Sequence, residues 1–145
     1  MFPHVVTVFN SYEDDDLKMR YSVTILRGVL LDVSKGANVA KTGLIDADAA
    51  TLYIPFSVEA VSTTGDKKTY VDPKVFYAAK DQQSLWTLDS GGQSNSTSTY
   101  FVKGEVSEMM SLKELRQAYD FVYDVSTVDV RDFGGDMRHW QVGGK

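Results

Sequence analysis

The sequence of 145 residues contains no cysteine and only two histidines. Without cysteine the chain forms no disulfide framework and no thiolate zinc site, and it has no cysteine nucleophile. No apolar run approaches the ~20 residues that a membrane-spanning helix needs. The amino-terminal MFPHVVTVFN lacks the basic n-region of a signal peptide. These absences predict a protein that is made and kept in the cytoplasm, with no membrane partner.

An excess of basic residues is also missing. The net charge is −5 and the isoelectric point is near 4.9. Stable nucleic-acid binding depends on Lys and Arg neutralising phosphates, so this balance argues against DNA or RNA as a bound ligand. It is compatible with DNA that passes nearby without being held.

What the sequence does contain indicates β structure. The length fits one domain, residues 1–145. Met19, Tyr21, Val23 and Ile25 alternate with polar residues, which is typical of a strand with one buried face. Continued to Leu31, with a bend or bulge at Gly28, this strand should form an antiparallel hairpin with 5–9. We predict a mainly β fold, a small antiparallel β-barrel or sandwich with one or two short helices.

The remaining elements follow from local signals. Pro55 cannot donate a ladder hydrogen bond, so a strand over 51–61 should lie at an edge or be interrupted there. Asp72–Pro73 predicts a helix start, with the helix running to about Lys80. Further strands are predicted at SLWTL, 99–106, 121–130 and MRHWQV.

A second helix is predicted after Ser111. Ser111 and Glu114 have the spacing of a capping box. Leu112, Leu115 and Tyr119 could then form its buried stripe.

A long loop, about residues 32–50, separates the hairpin from the next strand. Loops longer than ~12–15 residues inside a compact domain are usually functional or disordered. This one contains two glycines and the pair Lys41–Thr42, but it lacks the second glycine and the following helix of a phosphate-binding loop.

No motif in the sequence indicates an enzyme. The acidic runs EDDD and DADAA lack the spaced ligands of a calcium loop. His4 and His139 have no recognisable ligand or triad context, and no serine lies in a nucleophile-elbow pattern. We therefore predict no catalytic residues, no metal and no cofactor.

Two tryptophans leave an alternative open. Trp86 and Trp140, with nearby tyrosines, could form a platform for a small molecule or glycan, although such residues more often fill the core of a small β-domain. A binding module should bring these aromatics together in an exposed concave site, whereas a structural protein should bury them.

Several short motifs, spread nearly from end to end, resemble a family of small virion proteins encoded among the head genes of tailed phages and prophages of Gram-positive bacteria. These proteins are described as minor capsid or head–tail connector proteins. The matching segments are Lys35-Gly36-Ala37, Lys41-Thr42-Gly43, Ala47-Asp48, Ile54-Pro55-Phe56, Asp72-Pro73, Val102-Lys103-Gly104 and His139-Trp140. Ala49 departs from the pattern, which has Ser there.

The resemblance implies a ring component of the phage neck, similar to head-closure (stopper) proteins. It implies a homo-oligomeric ring whose copy number matches the portal's symmetry, with portal and adaptor proteins above and tail-completion or tail-tube proteins below. Packaged DNA would pass close by without specific contact. The protein would be made in the bacterial cytoplasm and reside in the virion neck. A tail-completion or capsid-decorating protein is the alternative within the same virion.

On this hypothesis two segments carry the interactions. The long loop would line or plug the DNA channel, or reach a neighbouring ring. Its candidate residues are Lys35, Gly36, Asn38, Lys41, Thr42 and Gly43. The carboxyl-terminal strand, with Met137, His139, Trp140 and Val142, could add to a neighbour's sheet edge or complete its own barrel.

Overall fold

The computed structural model describes residues 2–33, 49–90, 98–132 and 138–145. The chain is mainly β, as predicted, and its core element is a closed six-stranded antiparallel barrel. The strands are β1 (His4–Glu13), β2 (Met19–Val33), β3 (Ala50–Pro55), β4 (Glu59–Val61), β5 (Thr69–Tyr70), β6 (Leu85–Trp86), β7 (Ser98–Lys103), β8 (Val122–Arg131) and β9 (His139–Gly144). The helices are α1 (Pro73–Ala78) and α2 (Leu112–Ala118), with a 3-10 turn at Gln82–Ser84.

The barrel closes because β1 pairs on both edges. Around the barrel the order is β1, β2, β3, β9, β8, β7, and β7 returns to β1. The predicted hairpin is confirmed: β1 and β2 pair from His4↔Val29 to Glu13↔Met19. Gly28 has a positive φ of 90°, consistent with the predicted bend. Closure leaves few free edges within the barrel.

The strand predicted at 51–61 is interrupted, as the proline suggested. β3 ends at Pro55, and β4 begins at Glu59 and pairs with β2 at Ile25–Arg27. β3 is not an edge strand, because it lies between β2 and β9. The predicted strand at SLWTL is reduced to the two-residue β6, which pairs in parallel with β5.

Both predicted helix starts are confirmed. The Ser111 hydroxyl accepts a hydrogen bond from the Glu114 amide, and the Glu114 carboxylate accepts one from the Ser111 amide, completing the capping box. Leu115 is fully buried. Tyr119 was wrongly predicted to continue this stripe, because the helix ends at Ala118 and the extended backbone that follows leaves Tyr119 40% exposed.

The barrel has an apolar interior and a second core on its outer wall. Val6, Val8, Leu26 and Phe101 belong to the interior cluster. On the opposite face of the same strands, Phe9, Val23 and Tyr100 pack beneath Leu115 of α2, and the Phe9 and Tyr100 rings stack at 5.3 Å. The two cores together bury both faces of the β1–β2–β7 wall.

Candidate functional site

The strand registers assign the connections to two ends of the barrel. The β1–β2 turn, the ends of β3 and β8 and the starts of β7 and β9 lie at one end, which we call the plugged end. The end of β2, the start of β3 and Gly144 lie at the other, which we call the far end.

The plugged end is closed by residues 68–89, which we call the plug. Trp86 and Leu88 are 1% and 3% exposed and belong to the interior cluster of the barrel. The Trp86 ring lies 5.0 Å from that of Tyr70 and 5.7 Å from that of Trp140. The plug therefore fills this end with aromatic side chains.

Polar side chains inside the barrel hold the backbone of the plug. The Asn10 amide donates to the Thr87 carbonyl at 2.8 Å, and its carbonyl accepts from the Thr87 amide at 3.1 Å. The Thr99 hydroxyl accepts from the Asp89 amide at 3.1 Å and from Asn10 at 3.0 Å. Buried backbone groups must find partners, and these side chains supply them where β6 has no antiparallel neighbour.

Lys68 ties the start of the plug to β2. Its side chain is 7% exposed, and Nζ donates to the Ser22 hydroxyl at 2.5 Å and to the Val23 carbonyl at 3.1 Å. Burial lowers the pKa of Lys68 to about 8, although the charge of Asp81 opposes this shift. Ser22 and Lys68 thus form a polar contact that sequence reasoning did not identify.

At the far end, the residues on both sides of the long connection between β2 and β3 are held by backbone hydrogen bonds. Val33 pairs with Ala50, and Asp32 pairs with Thr51. The Ala49 amide donates to the Gly144 carbonyl at 2.7 Å, which joins this side of the connection to β9. The predicted loop residues Lys35, Gly36, Asn38, Lys41, Thr42 and Gly43 lie outside the described residues.

The carboxyl-terminal strand β9 lies inside the sheet. It pairs with β3 on one edge and with β8 on the other, so it completes the protein's own barrel. Trp140 and Val142 are 8% and 0% exposed, and His139 is half-buried beside the Tyr53 ring at 6.0 Å. Met137, the fourth residue of this predicted interface, lies outside the described residues.

The two tryptophans are core residues, as the commoner interpretation predicted. Trp140 contacts Phe56 and Tyr70 at ring distances of 4.5 and 4.4 Å, and it lies edge-on to Trp86. Burial raises the pKa of Tyr70 to about 12. This cluster presents no exposed aromatic platform at Trp86 or Trp140.

The two histidines and the acidic residues that the structure describes form structural contacts. His4 Nδ1 accepts a hydrogen bond from the Leu31 amide at 2.9 Å, extending the β1–β2 contact. The described part of the chain contains no group of three His, Asp or Glu residues placed to hold a metal ion. No helix within the described ranges is long and apolar enough to cross a membrane.

The turn between β1 and β2 is more ordered than a solvated acidic turn. The Asp14 carboxylate accepts from the Asp16 and Lys18 amides, both at 2.9 Å, and from Arg20 Nε at 2.7 Å. The hydrogen bond from Arg20 lowers the pKa of Asp14. Leu17 lies at the tip with φ 61° and is 79% exposed.

A groove runs beside this tip. It has a volume of about 560 Å³, and its wall is more apolar than polar. Met19 and Met109, which are 45% and 63% exposed, contribute to it. We did not predict this surface from the sequence, although a leucine at the end of an acidic turn sequence was a visible signal.

Comparisons with known proteins identify a family and no function. No curated protein and no solved structure matches the chain. One family model matches residues 2–145, nearly the whole sequence. The chain therefore belongs to DUF6751, a family of unknown function.

Proposed function

We propose that the protein is a non-enzymatic structural component of a phage neck, one of many identical copies in a ring that joins the head to the tail. The observation that carries this proposal is the connection between Val33 and Ala50. These residues are paired in neighbouring strands, so a hairpin turn of two to five residues would join them. The sequence instead has the much longer segment 34–49 between these two residues. A long segment rooted at one end of a rigid barrel suits contact with something outside the barrel.

The packed barrel interior bears on where DNA would pass. Phe101, Leu52 and Trp86 fill the interior and are each at most 1% exposed. No duplex passes through such a subunit, so in this proposal the channel lies on the axis of the ring, between copies. The net charge of −5 favours a conduit, because an acidic wall repels passing DNA rather than holding it.

The proposed partners follow from this position. Portal and adaptor proteins would lie above the ring, and tail-completion or tail-tube proteins below, with the protein located in the virion neck. The Lys35–Gly43 part of the long connection would contact the channel or a neighbouring ring. Contacts between different patches of identical copies close a ring when the rotation between copies is compatible. No cofactor takes part.

The mass of the protein, alone and mixed with the portal and adaptor proteins of its phage, tests the proposal by light scattering. We expect a ring-sized assembly only in the mixture. A protein whose mass is indifferent to both partners would overturn the head-closure role. Tail proteins or ligand screening would then be the next step.

A deletion of residues 36–46 tests the long connection. It leaves five residues between Val33 and Ala50, enough for a hairpin loop, so the barrel should still close. Loss of joining would assign the connection to docking, and retained joining would assign it to the channel. The matched control removes residues 91–95 from the Gly/Ser-rich connection at the plugged end and should join normally.

A further inference from the structure

We propose that two copies of this chain associate about a two-fold axis, with Leu17 of each copy seated in the groove beside Met19 and Met109 of the other. This inference goes beyond the proposed function and does not rest on it. It follows from four features of the plugged end: a rigid tip, an exposed leucine, an apolar groove and the charges around them.

The tip is held in one conformation before any contact. Asp14 accepts hydrogen bonds from the Asp16 and Lys18 amides and from Arg20. The Leu17 amide donates back to the Asp14 carbonyl at 3.0 Å. A tip that is already ordered loses little conformational entropy on binding.

Leu17 itself is unusual in two independent ways. Its side chain is 79% exposed, the highest value among the exposed large apolar residues of the described chain. Its φ of 61° lies in the left-handed region, which favours Gly, Asn or Asp over a leucine. The hairpin turn accounts for a left-handed residue at this position, because Leu17 closes the turn with its hydrogen bond to Asp14. The turn does not account for a leucine there, and an exposed leucine is compatible with burial by a second molecule.

The adjacent groove has the chemistry to accept a leucine. Tyr12, Tyr21, Met19 and Met109 contribute its apolar wall. Methionine side chains are flexible and polarisable, so they adapt to an inserted aliphatic group. The groove volume of about 560 Å³ is ample for one leucine side chain and its flanking backbone.

Charges beside the tip and the groove are complementary. Asp15 and Asp16 flank Leu17. Three charged residues line the groove: Asp14 and Arg20, which neutralise each other in an ion pair at 2.7 Å, and Lys80. Lys80 forms no ion pair with any residue that the structure describes. Insertion of Leu17 would bring the two carboxylates towards this free ammonium group.

The position of the groove selects a two-fold contact. Leu17 is only two residues from Met19, so the inserting and receiving surfaces form one continuous patch. When one patch is both donor and receiver, the contact is isologous, and a two-fold axis satisfies both halves at once. A ring contact would need two separate patches.

Sedimentation velocity over protein concentrations of roughly 10 µM to 1 mM tests the proposal, since small interfaces of this kind associate weakly. We expect a reversible monomer–dimer equilibrium for the natural sequence. Leu17→Asn should weaken dimerisation by about tenfold or more, because each dimer loses two buried leucines. Asn tolerates the left-handed conformation, so this variant should fold normally.

Two further variants distinguish this specific contact from non-specific association through exposed apolar side chains. Met109→Gln changes the groove and not the tip, and it should weaken dimerisation as well. The control Val130→Thr removes an apolar side chain that is 62% exposed and lies on β8; it should dimerise like the natural sequence.

A protein that stays monomeric throughout, or a dimer that Leu17→Asn leaves intact, would overturn the proposal. Equal weakening by Val130→Thr, or species that grow beyond a dimer, would overturn it as well. None of these outcomes changes the neck-assembly experiment, which uses portal and adaptor proteins and reads ring-sized mass.

Discussion

Replacing Asn10 with leucine should uncouple the plug from the barrel. In the natural protein Asn10 supplies partners for both the amide and the carbonyl of Thr87. Leucine has a similar volume and can do neither. Thr99 keeps its bond from the Asp89 amide, so two backbone groups become orphaned.

The cost can be worked from those two groups. Each buried backbone group left without a partner costs about 1–3 kcal/mol. Two such groups give about 2–6 kcal/mol, and the better burial of an apolar side chain returns about 1–2 kcal/mol. We therefore expect Asn10→Leu to lower the free energy of unfolding by about 2–3 kcal/mol, the middle of the range that these two terms leave.

Thr24→Val is the matched control. Thr24 points into the same barrel interior, where its fully buried hydroxyl has no hydrogen-bond partner among the described residues. Replacing an unsatisfied hydroxyl with a methyl group should be neutral or should stabilise by about 1 kcal/mol. The two substitutions make the same kind of change, polar to apolar, and should have opposite effects.

Urea unfolding followed by tryptophan fluorescence measures both variants, because Trp86 belongs to the plug and its ring contacts that of Trp140 in β9. A free energy of unfolding that Asn10→Leu leaves unchanged or raises would refute the reasoning about orphaned groups. So would a Thr24→Val variant as destabilised as Asn10→Leu, because the cost would then come from shape and not from hydrogen bonding.

Three other predictions concern stability. Gly144→Ala should lower the free energy of unfolding by about 1–3 kcal/mol, because the added Cβ would lie 2.8 Å from Tyr123 Cβ; an unchanged urea midpoint would show that the strand shifts freely. Ser111→Ala should cost about 1 kcal/mol in the same assay, whereas Asp72→Ala, whose side chain makes no capping bond, should cost far less. The pKa of Lys68 is about 8 in the folded protein and about 10.4 when unfolded, so the unfolded chain binds more protons between these values. Stability should therefore rise by about 2 kcal/mol from pH 7 to 9.5, and a Lys68→Met variant that shows the same rise would contradict this assignment.

Local signals predicted the elements of the fold well. The capping box at Ser111 and the proline at position 73 each depend on a few neighbouring residues, and both mark helix starts in the structure. The strand 19–25 was also predictable, because period-two alternation is a property of one segment. Nothing local predicted that β5 and β6 would pair in parallel across the plug.

The alternation in β2 did not predict which of its faces points into the barrel. The apolar face of β2, with Val23, was expected to be the only buried face. Val23 is instead buried outside the barrel, beneath Leu115, while Ser22 and Thr24 point inward and are fully buried. Ser22 can point inward because its hydroxyl contacts Lys68 and the plug backbone. Such partners are distant in sequence, so the pattern could not reveal them.

Of the two candidate interaction surfaces, one could be proposed from the sequence and the other only from the structure. The length of the connection drew attention to it, and the resemblance to phage connector proteins implied a role for residues 35–43; both arguments need only the sequence. The structure adds that Val33 and Ala50, on either side of this connection, are paired in neighbouring strands. Leu17 could not be identified in this way, because a leucine in a turn is common and only its positive φ and its exposure distinguish it. The residues that flank this connection, Val33 and Ala50, lie at the opposite end of the barrel from Leu17. A copy that pairs with another through Leu17 therefore keeps the long connection available for partners at the far end.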